Sequence, residues 1–273
     1  MIQDITPSRL DNSFKNYEIG KNDYVLCFDS EGRILADTHS DSIIFPKNGE
    51  ISSDKKIYGF SVDNERYFIA VGETVNTDTA FEHMTLRQLR DRFCGKELFA
   101  AFTAYHLWKW YNDNSFCGRC GDGLVFSADE RALKCSKCGN VVYPRINPAV
   151  IVGVIKGDSI LVTRYRRGYA HNALVAGFTE IGETLEQTVE REVMEETGVK
   201  AKNIRYYKSQ PWGMAQDILI GFFCEADGSA EIHMDGNELK YAEWVSREEL
   251  VLQPTDISLT NEMMKVFREG KTY

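Results

Sequence analysis

Four of the seven cysteines stand as two Cys-x2-Cys pairs, Cys117 with Cys120 and Cys135 with Cys138, and fourteen residues separate the pairs. Two thiolate pairs on short turns are what a tetrahedral Zn2+ ion requires, and a glycine follows each pair, Gly121 and Gly139, where a tight turn needs one. The surrounding stretch, 115 to 143, is rich in glycine and charge and poor in large aliphatics, so it cannot bury a core unaided and needs a metal staple. Four protein ligands leave no place for water, which makes the expected zinc structural; ribbons of this kind also serve as nucleic-acid binders, an alternative use. Cys27, Cys94 and Cys224 lie singly in apolar segments, and in a reducing compartment the paired spacing favours metal over disulfide.

The ribbon divides the chain into an N-terminal α+β domain over 1–112, the ribbon itself over 113–143 and a second folded domain over 144–273. In the first part, hairpin patterns run from Tyr24 to Leu35, turning at Glu31-Gly32, and from Ile57 to Val71, turning at Asp63-Asn64. Helical spacing follows over Thr85 to Phe93 and Leu98 to Trp110, and the breaker run Asn112-Asp113-Asn114 ends it. Beyond Asn147, apolar strands (Ala149 to Ile155, Ile160 to Arg164, Ala173 to Ala176, Ile218 to Cys224, Tyr241 to Val245) surround one helix, and a last helix spans about Leu259 to Glu269. A net charge of -9 gives no drive toward duplex DNA, so a phosphate-bearing ligand has to be met locally. The polar start and a longest apolar run of only Pro148 to Ile155 predict a cytoplasmic protein with no membrane partner.

The segment Gly177 to Val199, GFTEIGETLEQTVEREVMEETGV, joins a glycine-bearing loop to a helix capped by Thr184 and stopped at Gly198. Glu192, Glu195 and Glu196 recur at i, i+3, i+4, so three carboxylates crowd one side. An acidic helix face is ordinarily solvated. Here the apolar stripe of Leu185, Val189 and Val193 decides otherwise, because on a helical wheel Glu196 lies within about 20° of its mean and Glu192 within about 60°. Carboxylates aimed at the protein body must be paired or hold a cation, and a hard divalent ion such as Mg2+ or Mn2+ suits oxygen ligands best. Such an ion with open coordination is what diphosphate chemistry uses. Arg191, on the same helix, can pair with Glu183 in the preceding loop.

These residues complete a known pattern. Gly177-x5-Glu183-x7-Arg191-Glu192-Val193-x-Glu195-Glu196-x-Gly198-Val199 resembles the full Nudix box, and with the ribbon in front of it the chain is similar to the NADH pyrophosphatase (NAD diphosphatase) branch of Nudix hydrolases. Tyr143-Pro144-Arg145 with Asn147-Pro148-Ala149 looks like that branch's junction, and Ser209-Gln210-Pro211-Trp212 like its marker sequence. The resemblance covers 115 to 245 and implies an α/β/α sandwich that hydrolyses NADH or NAD+ to nicotinamide mononucleotide and AMP. It implies ions on Glu192 and Glu196, with Glu195 a further ligand or the base that orients water. It also implies a homodimer in which Phe178 and the partner copy's counterpart of Tyr143 sandwich the nicotinamide ring, with Ala176, Gln210, Trp212 and Asp217 among the residues that contact the dinucleotide. Phe178 and Tyr143 are equally compatible with packing roles, and Trp212 with either packing or a site wall. The same chemistry fits other substrates, namely ADP-ribose, a dinucleoside polyphosphate or the NAD-capped 5′ end of RNA. A non-catalytic zinc-ribbon binding protein is the alternative of another class.

The chain departs from the branch in two places. After Trp212 it reads Gly213-Met214-Ala215-Gln216-Asp217 where the family usually has Pro-Phe-Pro and a serine. Tyr241 sits where a later metal-ligating Glu belongs, flanked by Glu238 and Glu243, which leaves Glu243, on the same strand face, and Asp217 as candidate substitutes. Arg164, Tyr165, Arg166, Arg167 and His171, in the loop before the box, could reach a diphosphate or form an ordinary solvated loop.

Overall fold

The computed structural model describes residues 1–76, 80–166, 171–234, 236 and 239–271. Contacts divide the chain into two compact units. One contains residues 3–145 together with 213–216, and the other residues 1–2, 146–212 and 217–273. The ribbon therefore clusters with the N-terminal residues, and the four-residue stretch after Trp212 joins them.

In the N-terminal unit, the strands Ile51–Val62 and Glu65–Asn76 form the antiparallel hairpin expected from the alternation, turning at Asp63-Asn64 with Asp63 at φ 53°. The other expected hairpin forms at its tip, where Phe28 and Ile34 make an antiparallel bridge and the Leu35 amide donates to the Cys27 carbonyl. Its turn forms, with Gly32 at φ 75° and the Asp29 amide bonded to the Arg33 carbonyl. Its two arms then go to different sheets: Tyr24–Leu26 runs parallel to Glu65–Asn76, and Ile34–Ala36 pairs with Glu82–Met84. Both arms are almost wholly buried, and a short strand covered on both faces carries no alternation that would name its neighbour. Helices Leu86–Arg92 and Lys96–Asp113 follow, the first closed by a Thr85/Gln88 capping box. The second runs through Asp113 to the breaker cluster and buries Phe99, Phe102, Trp108 and Trp110. No helix among the described residues is long and apolar enough to cross a membrane.

The second unit is a mixed sheet between two helices. Its strands are β1 (Asn147–Lys156), β2 (Ser159–Tyr165), β3 (Val175–Phe178), β4 (Lys200–Trp212), β5 (Asp217–Asp227) and β6 (Leu239–Ser246), with helices α1 (Leu185–Thr197) and α2 (Leu259–Arg268). The order is β4-β5-β1-β2-β6, with β3 also on β1 and with β1 and β5 parallel. Successive side chains of β1 alternate between faces: Val150, Val152 and Val154 pack with Val189 and Val193 of α1, while Ile151 and Ile155 pack with Met263, Met264 and Phe267 of α2. This is the α/β/α sandwich. Each of those fully buried side chains contributes about 1.5–3 kcal/mol.

Strand β4 has no counterpart among the strands read from the sequence. It is an edge strand paired on one side only, thick with Lys, Arg and Asn, and bulged where Asn203 takes φ 53°. Edge strands are commonly built this way, and the charge hides the alternation.

Candidate active site

The box helix begins where Thr184 accepts from the Gln187 amide and the Gln187 side chain reaches back to the Thr184 amide, and it ends at Gly198 in the left-handed conformation. Leu185, Val189 and Val193 face the core, which rotates Glu196 inward until it is 4% exposed. Glu192 keeps only 13% of its side-chain surface, whereas Glu195 keeps 60% and stands at the rim. The wheel angles account for this ordering.

Arg191 ties the group together. Its guanidinium donates to both oxygens of Glu183 at 2.6 and 2.9 Å, to Glu192 at 2.6 Å, to Glu195 at 3.1 Å and to the Phe178 carbonyl at 2.9 Å. Glu183 also accepts from the Glu180 amide and the Thr188 hydroxyl, and the Arg191 bond first, with these others, holds its carboxyl down to about 2. The loop is thus fastened to the helix by a bidentate pair that stays ionised through the neutral range. Gly177 supplies the floor. A Cβ there would fall 1.9 Å from the Glu192 carboxylate carbon, so the absence of a side chain is what lets that carboxylate lie against the backbone. An oxygen donor set, two of whose members turn inward, fits a hard divalent cation.

One contact was not read from the sequence, where Tyr165 figures only as part of a basic loop. Its hydroxyl donates to Glu196 at 3.1 Å and also lies 3.4 Å from the Ala176 carbonyl. Burial, reinforced by the carboxylate beside it, pushes the phenol far above its ordinary range, so it remains a donor. Tyr165→Phe should leave the fold unchanged and lower turnover or apparent magnesium affinity by roughly 10–100-fold, the usual effect of freeing an inner-site carboxylate from its support. A magnesium titration indistinguishable from the parent would remove Tyr165 from the site.

The remaining expected residues fall into two groups. Phe178 presents a ring 53% exposed beside the box loop, and Tyr143, in the other unit, is 58% exposed; each is available to a flat ligand. Ala176 is partly buried, its carbonyl turned to Tyr165, and Trp212 is half-buried at the end of β4. Gln210 is fully buried, its amide nitrogen donating to the Ile257 carbonyl and its oxygen accepting from the Leu259 amide, both at 2.8 Å. Its amide fastens β4 to the start of α2.

The position of the later family carboxylate is filled differently. The Tyr241 hydroxyl lies 2.5 Å from Asn172 Oδ1, and the Arg164 guanidinium sits 5.4 Å from the centre of its ring. Glu243 is exposed. Glu238 and Arg167 lie outside the described residues, His171 is exposed, and Arg166 bonds the Leu239 carbonyl. Asp217 starts β5 opposite Asn147, 5% exposed, with Oδ1 lacking a hydrogen-bond partner among the described residues. Burial raises its carboxyl from 3.8 to about 6, opposed by the Asn147 contact. A carboxyl raised by folding contributes stability below its unfolded value and loses it as pH rises through the folded one. Asp217→Asn should therefore be more stable than the parent at pH 8, by on the order of 2–3 kcal/mol, and equal to it near pH 3.5. Denaturant unfolding at the two pH values measures this. A gain that magnesium abolishes would instead mark Asp217 as a metal ligand.

The four cysteines of the ribbon converge in the other unit. Their sulfurs all lie within 4.8 Å of one another, with Cys117 to Cys138 at 3.6 Å and Cys120 to Cys135 at 3.5 Å. A tetrahedral zinc with about 2.3 Å bonds sets sulfurs roughly 3.8 Å apart, so the cluster fits the ion. Gly121 and Gly139, at φ 75° and 71°, close the two turns by bonding back to the Cys117 and Cys135 carbonyls. The Arg119 amide leads the contacts that lower the Cys117 thiol to about 6, toward the thiolate that zinc binds.

Comparison with known proteins places this geometry. The NUDIX domain profile matches residues 145–267, and that of the NADH pyrophosphatase zinc ribbon domain matches residues 112–143. A Citrobacter koseri protein named NAD-capped RNA hydrolase NudC is 43% identical over 173 residues, 62% of this chain and 66% of that protein. Its namesake in Escherichia coli O1:K1 is 45% identical over 149 residues, 54% of this chain and 57% of that one. The matched part thus spans less than two thirds of these relatives' length. Among solved structures, a NUDIX hydrolase from Nitrosomonas europaea superposes with a TM-score of 0.50 at 19% identity, over 57% of this chain and 91% of that one, a likeness of fold.

Proposed function

The chain belongs to the Nudix hydrolases that carry an NADH pyrophosphatase zinc ribbon, and from that premise we propose that it hydrolyses the diphosphate bond of NADH or NAD+, giving nicotinamide mononucleotide and AMP. The observation that carries the reading is the inward turn of Glu192 and Glu196, with the Glu192 carboxylate lying against the bare backbone of Gly177. Glu192 and Glu196 would hold Mg2+ or Mn2+, with Glu195 at the rim as a further ligand or as the group that orients water. Such ions, when bound, neutralise the bridging phosphates and acidify a water molecule for attack on phosphorus.

The chain's own residues do the rest. Arg191 and Glu183 fix the loop so that the carboxylates keep their spacing, Tyr165 holds Glu196 in one orientation, and Thr184 and Gly198 set the helix ends. Phe178 offers a flat apolar face for the nicotinamide. In a homodimer, the partner copy's counterpart of Tyr143 would supply the second face, and the exposure of both rings supports that arrangement. The segments 1–112, 113–143 and 144–273 would then serve as an accessory α+β domain, a zinc-stapled junction and the hydrolase. We place the protein in the cytoplasm, where NADH and the metal ions are available. NAD-capped RNA is a second substrate class, favoured by the names of the relatives.

Incubation with NADH, NAD+, ADP-ribose and NAD-capped RNA, each with magnesium or manganese, followed by chromatography of the products, tests the reading. Formation of nicotinamide mononucleotide with AMP, or of 5′-monophosphate RNA, is expected. Intact substrates under all conditions would refute it.

A further inference from the structure

Within the N-terminal unit, a cavity of about 240 Å3 lies between strand Ile51–Val62, residues 14–17 and the ribbon turn at 126–132. Two polar atoms there are buried without a hydrogen-bond partner among the described residues, the Tyr58 hydroxyl and Arg131 Nε. Tyr58 is 4% exposed. Both atoms can donate, and buried donors without acceptors are rare enough that each calls for an acceptor from elsewhere. Arg131 is held for that task, its two terminal nitrogens bonded to Asn12 Oδ1 and the Gly59 carbonyl, which leaves Nε for a ligand.

The charge of the lining points to an anion. Lys15, Lys55, Lys56 and Arg131 contribute four cations against one carboxylate, Glu130, in a chain whose net charge is -9. Lys15 is paired with Asp11, and Lys56 is bonded to Asn48 and the Ile51 carbonyl. Lys55 and Arg131 have no carboxylate partner among the described residues, and the Lys55 ammonium stands 3.4 Å from the centre of the Phe126 ring. Burial lowers the pKa of both cations, a penalty that a bound anion would relieve. The walls are aromatic: Tyr17, 44% exposed at the rim, meets Tyr58 edge-on at 5.0 Å and leaves ring surface open to solvent.

We infer that this cavity binds a small nucleotide, its phosphate received by Arg131, Tyr58 and Lys55 and its base laid against Tyr17. Cationic donors fix the phosphate, and an aromatic rim accepts any planar base with little preference among bases. The inference does not depend on the catalytic reading.

AMP and inorganic phosphate are titrated by calorimetry into the full-length, zinc-loaded protein with no added magnesium or manganese, so that binding at the box carboxylates is not promoted. One AMP per chain is expected, with phosphate competing more weakly. Tyr58→Phe should weaken AMP roughly tenfold without lowering thermal stability, because the hydroxyl it removes has no partner among the described residues. Arg131→Gln should weaken AMP at least as much, and its melting curve separates loss of binding from loss of fold. AMP affinity unchanged in Tyr58→Phe, phosphate binding as tightly as AMP, or no binding at all would each overturn the inference.

Discussion

Replacing Glu196 by Gln should reduce metal-dependent diphosphate hydrolysis on the order of 10³-fold while leaving the protein folded. The size of the effect follows from where the carboxylate lies. It is 4% exposed, held by Tyr165, and on the side of α1 that faces the core. Gln keeps the volume and one carbonyl oxygen, so the bond from the Tyr165 hydroxyl is preserved, but the negative charge that attracts a divalent ion is gone. In metal-free buffer the variant should melt at the same temperature as the parent or higher, because a buried charge has been replaced by a neutral group. Magnesium should then raise the parent's melting temperature and leave the variant's unmoved. Glu195→Gln, at a side chain 60% exposed, should have a smaller effect on the magnesium-induced rise in melting temperature. Equal loss of the magnesium-induced stabilisation at the two positions, or a Glu196→Gln enzyme that retains full turnover, would mean that inward orientation is not what selects the metal site.

Removing the ribbon's zinc should unfold residues 115–143. A structural site of this type contributes on the order of 10–16 kcal/mol in isolated ribbon peptides, more than the net stability of most domains. The ribbon has three short strands, Leu124–Phe126, Leu133–Cys135 and Val141–Val142, and its buried apolar residues are few, chiefly Ala132 and Leu133. Nothing else in it can replace the metal. Cys135→Ser, or extraction with a strong chelator, should release one zinc per chain and open this segment to proteolysis. Because the ribbon belongs to the N-terminal unit, that unit's calorimetric transition should fall in temperature, while the sheet and helices of 146–273 keep a core of their own. Protease resistance unchanged after zinc loss would show that the ribbon packs without its staple.

How far the sequence could be read depended on whether a feature is local. Turn and cap chemistry is local: Thr184, Gly198, Asp63-Asn64 and the two Cys-x2-Cys pairs act within a few residues, and the structure has each where the spacing puts it. The box helix is nearly as local, because its period alone fixes which glutamates follow the stripe of Val189 and Val193. Pairing between distant segments is not local. Tyr24–Leu26 and Ile34–Ala36 flank a good turn and still enter different sheets, since their partners lie some forty or more residues further on in the chain. Charged residues concealed strand β4 because an edge strand can be polar and remain a strand.

The site divides along the same line. From the residues alone come the identity of the carboxylates, the Arg191–Glu183 tie, the four thiolates and the ion each set suits, because helical geometry and ligand chemistry operate at short range. Only the tertiary structure decided that Gln210 clamps β4 to α2, that Glu243 faces solvent, that Tyr241 turns to Asn172 and that Tyr165 supports Glu196. Each of those outcomes depends on which residue from a remote segment arrives opposite, and strand order and register, set by burial across the whole sheet, fix that arrival.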